Sequence, residues 1–96
     1  MLILVTYDVS TKTPEGELRL RKAAQICKDF GQRVQKSVFE CSVNQAQYEE
    51  LIRQLIKCID ESEDSLRFYR ILEPKEHHLK VYGVDRSVDF EAPLVV

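Results

Sequence analysis

Asp8 is the residue whose type and position best suit it for chemistry. It directly follows the uncharged, strand-forming run Leu2 to Tyr7. A carboxylate at the carboxyl end of a strand has a rigid support, and Mg²⁺ prefers such oxygen ligands, keeping several waters and binding substrate phosphates as well. Asp8 is therefore a candidate metal ligand. The structural alternative is an acid that caps the loop over residues 9–13.

One chain offers a single candidate carboxylate in this region, so a metal site here requires a second copy related by two-fold symmetry. Histidine is absent from the sequence near Asp8, and metal-bound water would have to act as the base. His77 and His78 are adjacent and are expected to lie in a solvated linker. Beside Asp8, the Tyr7 hydroxyl could touch substrate, although a half-buried sheet aromatic is the commoner role for such a tyrosine.

Basic residues concentrate in one segment of an otherwise slightly acidic chain. The formal net charge is −2, whereas the segment from Arg19 to Lys36 contains six basic residues and one acid. Such a segment could present a basic face to phosphates, although an ordinary solvated helix face is the alternative. The candidates for phosphate contact are Arg19, Arg21, Arg33 and Lys36. The compensating acids cluster between Asp60 and Asp64.

The bulk composition predicts one domain over residues 1–96. Hydrophobic residues make up 44% and charged residues 31% of the 96 residues, which is typical of a globular protein. The apolar runs are too short to cross a membrane and the start lacks a signal peptide, so we expect a soluble, cytoplasmic protein. The three cysteines, Cys27, Cys41 and Cys58, lack zinc-site spacing and are expected to be buried free thiols.

The first half of the chain predicts a strand, a helix and an extended region. After the strand, Thr13 is suited to cap a helix that begins at Pro14. Gly31 is expected to end this helix in the left-handed conformation. From residue 32 to residue 43 the pattern is extended, but its phase changes at Val38-Phe39, which indicates a bend, a bulge or two short strands.

The second half predicts a further helix and strand. Asn44 and Gln47 resemble a capping box, and a continuous apolar stripe follows to Ile59. Residues 65–72 are typical of a strand, and residues 79–84 of a short extended segment. The tail over residues 85–96 has no clear period, and its apolar end is expected to cover an edge or a second subunit. This order predicts an α+β, ferredoxin-like βαββαβ sandwich with an extra short C-terminal strand, homodimeric because its open sheet face needs a cover.

Several segments resemble the small CRISPR-associated proteins of the Cas2 family. The likeness covers nearly the whole chain, and the tail resembles most closely that of members found with I-C subtype systems. The segments that carry it are MLILVTYDVS at the start, L-R-L-R-K in the first helix, G-Q-R-V-Q-K-S-V-F-E-C at Gly31 to Cys41, D-S-L-R-F-Y-R at Asp64 to Arg70, and the short strand near Lys80 to Gly83.

The resemblance implies a homodimer in which the two copies of Asp8 face each other and hold Mg²⁺ (or Mn²⁺). It implies cleavage of single-stranded RNA or double-stranded DNA, and a role in spacer acquisition beside the integrase Cas1. Ser37 and Phe39 match the family's S-V-F segment near the site, Ser37 as a polar residue that assists and Phe39 as a core or dimer contact. The alternative function is a non-catalytic dimeric DNA-binding scaffold that bridges Cas1 integrase dimers.

Overall fold

A computed structural model describes residues 1–85 of the chain. The elements are β1 (Leu2–Asp8), α1 (Pro14–Phe30), β2 (Gln32–Gln35), β3 (Val38–Ser42), α2 (Gln45–Cys58) and β4 (Ser65–Ile71). The four strands form one antiparallel sheet in the order β2-β3-β1-β4, and the two helices cover one face of it. This β-α-β-β-α-β order confirms the predicted ferredoxin-like sandwich.

β1 is a central strand, paired with β3 on one side and β4 on the other. Its alternate residues Ile3, Val5 and Tyr7 are buried in the core beneath the helices. Thr6 is half-buried and Asp8 is exposed on the opposite face. Side chains alternate between the two faces along a strand, so the face of β1 that carries the apolar side chains is the one that the helices cover.

Both helices begin at the predicted caps. The Thr13 side chain accepts a hydrogen bond from the Gly16 N–H at 3.1 Å, and Pro14 occupies the first helical position. Asn44 and Gln47 form the complete reciprocal capping box at the start of α2. No helix within the described part of the chain is long and apolar enough to cross a membrane.

The cysteine thiols are free, as predicted, with two of them fully buried. Burial raises the pKa of Cys27 to about 12 and the pKa of Cys41 to about 11. Both thiols therefore stay protonated at neutral pH and behave as small apolar groups within the core. Cys58 is half-buried.

The predicted left-handed end of α1 is wrong. Gly31 has φ −166° and ψ −158°, an extended conformation that any residue can adopt. Glycine is needed there because a Cβ would lie 2.3 Å from the carbonyl oxygen of Glu40. The phase change in residues 32–43 corresponds to two short strands, separated by a turn at residues 36–37 and accompanied by a register shift between Arg33 and Gln35.

The extra strand predicted over residues 79–84 is not formed within the described residues. A short 3₁₀ turn, Lys75–His77, precedes this segment. Leu79 and Tyr82 line a groove with Leu4 and Val38 on the open sheet face, yet Tyr82 is 84% exposed. An extended segment becomes a strand only when a sheet edge pairs with it, and no strand edge within residues 1–85 pairs with this segment. The predictions for residues 86–96 lie outside the described residues.

Candidate active site

Asp8 is the last residue of β1, and its side chain is exposed. In the sheet register it lies opposite Ser65, the first residue of β4. On the other side of β1, the Tyr7 N–H donates to the carbonyl oxygen of Ser37 at 3.2 Å. The end of β1, the start of β4 and the turn between β2 and β3 therefore meet at one end of the sheet. The structure thus brings Ser37 close to Asp8 in the fold.

Asp8 opens onto a polar surface groove between the loop that follows β1 and the turn that precedes β4. The other lining residues are Val9, Ser10, Thr11, Lys12, Ser62, Glu63, Asp64 and Ser65. Most of these side chains are hydroxyls or carboxylates, which are oxygen donors suited to a hard cation or its water shell. Lys12 adds a cation to the same groove. The sequence prediction overlooked it because Lys12 lies outside the basic segment Arg19 to Lys36.

A second acid, Asp64, is buried beneath this groove. Its side chain has no exposed surface, and its two oxygens accept four hydrogen bonds. The donors are the Ser10 N–H at 3.0 Å, the Asp60 N–H at 2.9 Å, and Arg19 through Nε at 2.8 Å and Nη2 at 3.2 Å. The Arg19 hydrogen bonds are the largest cause that lowers the pKa of Asp64 to about 2. The sequence pattern placed Asp64 in an acidic turn and at the start of a segment that carries the family resemblance, but it did not indicate that the side chain is buried.

The four basic candidates occupy different environments. Arg19 is engaged by Asp64 and is only 17% exposed in its side chain, so the structure gives it a structural role in place of the predicted phosphate contact. The guanidinium of Arg33 lies 5.0 Å from the ring centroid of the buried Phe39, a cation–π contact at the rim of the core. Arg21 and Lys36 are exposed and remain available to phosphates.

Tyr7 lies in the core, in contrast to its predicted contact with substrate. It is 5% exposed, and its ring stacks on that of Phe39 with centroids 6.2 Å apart. Burial is the largest influence on its pKa, which is raised despite the opposing effect of Arg33. Since neighbouring residues of a strand point to opposite faces, an exposed Asp8 requires an inward Tyr7. This placement gives Tyr7 a structural role.

The described residues of one chain do not form a complete metal site. Within residues 1–85, no group of three or more His, Cys, Asp or Glu side chains is arranged to hold a metal ion. Asp8 nevertheless fits a hard cation, since Mg²⁺ is commonly held by one or two carboxylates with waters and phosphate oxygens. Asp64 is unsuited to this role because its oxygens already accept hydrogen bonds.

The fold and the site define a small ferredoxin-like α+β protein with an exposed carboxylate and a polar groove at one end of its sheet. A family sequence profile described as "CRISPR associated protein Cas2" matches residues 1–78. The chain belongs to this Cas2 family, as the resemblance predicted. The predicted likeness to I-C subtype members stays a prediction.

Individual relatives are similar over their full lengths. The chain is 64% identical to "CRISPR-associated endoribonuclease Cas2 1" of Moorella thermoacetica over 96 residues, which is 100% of both chains. It is 46% identical to "CRISPR-associated endonuclease Cas2" of Halalkalibacterium halodurans over 95 residues, covering 99% of each. Among solved structures, Streptococcus pyogenes Cas2 at pH 6.5 superposes with a TM-score of 0.78 and 48% identity, covering 86% of this chain and 100% of that one.

Proposed function

We propose that this protein is a divalent-metal-dependent endonuclease that cleaves single-stranded RNA or double-stranded DNA. It acts in the cytoplasm, as a homodimer, in the acquisition of new CRISPR spacers. The observation that carries the proposal is the exposed Asp8 carboxylate at a fixed strand end, in a groove lined by oxygen donors. Relatives that align over their whole length carry the names endoribonuclease and endonuclease, which supports this class of activity.

Asp8 would hold Mg²⁺ (or Mn²⁺) together with the Asp8 of a second copy. When bound, the cation would polarise the scissile phosphoryl group and supply a metal-bound water at neutral pH. The chain's own residues would orient the nucleic acid. Lys12 in the same groove, with the exposed Arg21 and Lys36, would contact phosphate oxygens. Ser37 is held at the same end of the sheet by its backbone bond to Tyr7.

The homodimer is supported by apolar surface that one chain leaves uncovered. Four large apolar or aromatic side chains are exposed. They are Tyr69 on the open sheet face and, in the segment that follows the 3₁₀ turn, Val81, Tyr82 and Val84. Exposed aromatic and branched side chains of this kind are typical of protein interfaces. Analytical ultracentrifugation of the full chain should give a dimer at micromolar concentration. A clean monomer would remove the second carboxylate and with it the shared site.

A second candidate function is a non-catalytic, dimeric DNA-binding scaffold that bridges dimers of the integrase Cas1. The observation that favours it is that the exposed Arg21 and Lys36 could bind phosphates whether or not a metal binds at Asp8. Phosphate contacts of this type give affinity that falls steeply with salt and is independent of sequence.

The two functions are separated by comparing the wild type with Asp8→Asn on labelled duplex DNA and single-stranded RNA, with and without Mg²⁺. Asp29→Asn is the matched control, because Asp29 is an exposed acid at the far end of α1. The nuclease proposal expects Mg²⁺-dependent cleavage by the wild type and the control, and its loss in Asp8→Asn. Equal cleavage by all three proteins would exclude Asp8 as the ligand. Binding with the same salt dependence but no cleavage would favour the scaffold.

A further inference from the structure

The buried Asp64 carboxylate joins three segments of the chain that surround the candidate active site. We propose that Asp64 and Arg19 form a positioning pair that fixes the loop following Asp8 and thereby the direction of the Asp8 carboxylate. The catalytic meaning of this pair rests on the proposed function of Asp8. The structural part of the proposal can be tested without any nuclease activity.

Asp64 is connected to Asp8 by two short routes. Ser10 lies two residues after Asp8, and its N–H donates to Asp64 Oδ1 at 3.0 Å. Ser65 lies one residue after Asp64 and is the register partner of Asp8 across the β1–β4 ladder. A shift of the Asp64 side chain would therefore break its hydrogen bond with the Ser10 N–H and free the loop that follows Asp8. The pairing of Asp8 with Ser65 of β4 would remain.

Arg19 fixes the orientation of the Asp64 carboxylate from α1. Two guanidinium nitrogens bind the two carboxylate oxygens, at 2.8 Å and 3.2 Å, and this forked geometry sets the plane of the carboxylate as well as its position. From the other side, the Asp60 N–H donates to Asp64 Oδ2 at 2.9 Å, and the Asp64 N–H donates back to the Asp60 carbonyl at 2.7 Å. These two hydrogen bonds hold the turn before β4 against the same carboxylate.

The pair also keeps the Asp64 carboxylate from serving as a ligand to a cation. With both oxygens occupied by hydrogen bonds and its charge opposed by Arg19, Asp64 lines the groove without offering a free ligand. Asp8 remains the exposed acid at the strand end. Groups that hold metal ligands in place by hydrogen bonds commonly change metal affinity about 10- to 100-fold when they are removed.

The test uses ¹⁵N-labelled full-length protein as wild type, Asp64→Asn and Glu61→Gln. Asparagine keeps the size of the side chain but replaces one accepting oxygen by a donor and removes the charge. Glu61 is the matched control, since it is an exposed acid of the same turn and does not line the groove. Two quantities are measured: amide hydrogen exchange at Ser10, and the broadening of the amide signals of residues 8–12 by added Mn²⁺.

The proposal expects Ser10 exchange in Asp64→Asn to accelerate at least about tenfold more than exchange in the core strands. It also expects Mn²⁺ to bind about tenfold more weakly, while Glu61→Gln matches the wild type in both measurements. Folded Asp64→Asn with wild-type exchange at Ser10 would overturn the proposal, as would wild-type Mn²⁺ affinity. If the wild type shows no Mn²⁺ broadening, the metal role of Asp8 fails, and Ser10 exchange alone decides the positioning role.

Arg19→Lys keeps the test decisive if Asp64→Asn does not fold. Lysine preserves the charge but cannot make the forked contact. The same two changes are expected in the same direction and to a smaller extent. Unchanged Ser10 exchange in a folded Arg19→Lys protein would contradict the role of the pair.

Discussion

Gly16→Ala is the substitution for which the structure gives the sharpest expectation. A Cβ on Gly16 would lie 2.0 Å from the carbonyl oxygen of Ser10 and 3.0 Å from its carbon. An ordinary contact begins near 3.4 Å, so the backbone at Ser10 would have to move by more than 1 Å. That movement would strain or break the bond from the Ser10 N–H to Asp64. The position of Ser10 is thus fixed by two contacts: its carbonyl packs against Gly16, and its N–H donates to Asp64.

The expected change in the free energy of unfolding of Gly16→Ala is the sum of one stabilising and two destabilising effects. Alanine favours a helix over glycine by about 1 kcal/mol. Overpacking against backbone costs about 1–3 kcal/mol, and a weakened hydrogen bond to a charged group adds about 1.5–3 kcal/mol. We expect a net loss of about 3 kcal/mol in the free energy of unfolding, and therefore a fall in Tm of roughly 15 °C for a domain of this size.

Thermal and urea denaturation followed by circular dichroism measure this change. Glu17→Ala is the control, because Glu17 is the adjacent, exposed residue in the same first turn of α1 and should change stability by less than about 0.5 kcal/mol. If Gly16→Ala is as stable as the wild type or more so, the close approach of the loop to α1 is wrong. In that case the hydrogen bond to Asp64 would be the one remaining contact argued to fix Ser10 and the loop that follows Asp8.

Three further predictions concern the cap of α2, acid stability and nucleic-acid binding. Asn44→Ala removes the capping box and should lower the free energy of unfolding by about 1 kcal/mol in urea denaturation. The pKa of Asp64 is lowered from 3.8 to about 2 in the folded protein. The resulting stabilisation is therefore complete above about pH 4 and is lost as the pH falls towards 2. Acid titration of Asp64→Asn should show a flatter decline over that range. Arg21→Ala and Lys36→Ala should each reduce the slope of log affinity for duplex DNA against log salt by about 1.

Much of the fold could be predicted because the decisive signals are local. The alternation of Ile3, Val5 and Tyr7 sets the core face of β1, and the Asn44 capping box sets the start of α2. The end of α1 could not be predicted in this way. Gly31 is required by the approach of Glu40, a contact between elements that the local pattern does not contain.

In the candidate site, too, the features set by local sequence could be predicted, and those set by contacts between distant residues could not. The exposure of Asp8 follows from the strand that precedes it, and the same alternation could have placed Tyr7 in the core. The pairing of Arg19 with Asp64 spans 45 residues of sequence. A single sequence does not show which of several neighbouring acids will be buried beside an arginine. Arg19 was therefore predicted as a phosphate contact when the fold uses it to hold a carboxylate.

The most direct test of the central claim, that Asp8 from two copies forms one metal site, is the stoichiometry of Mn²⁺ binding measured by electron paramagnetic resonance. The account predicts one ion per two wild-type chains, no binding to Asp8→Asn, and wild-type binding to Asp29→Asn. Mn²⁺ binding to Asp8→Asn with unchanged affinity and stoichiometry would contradict it.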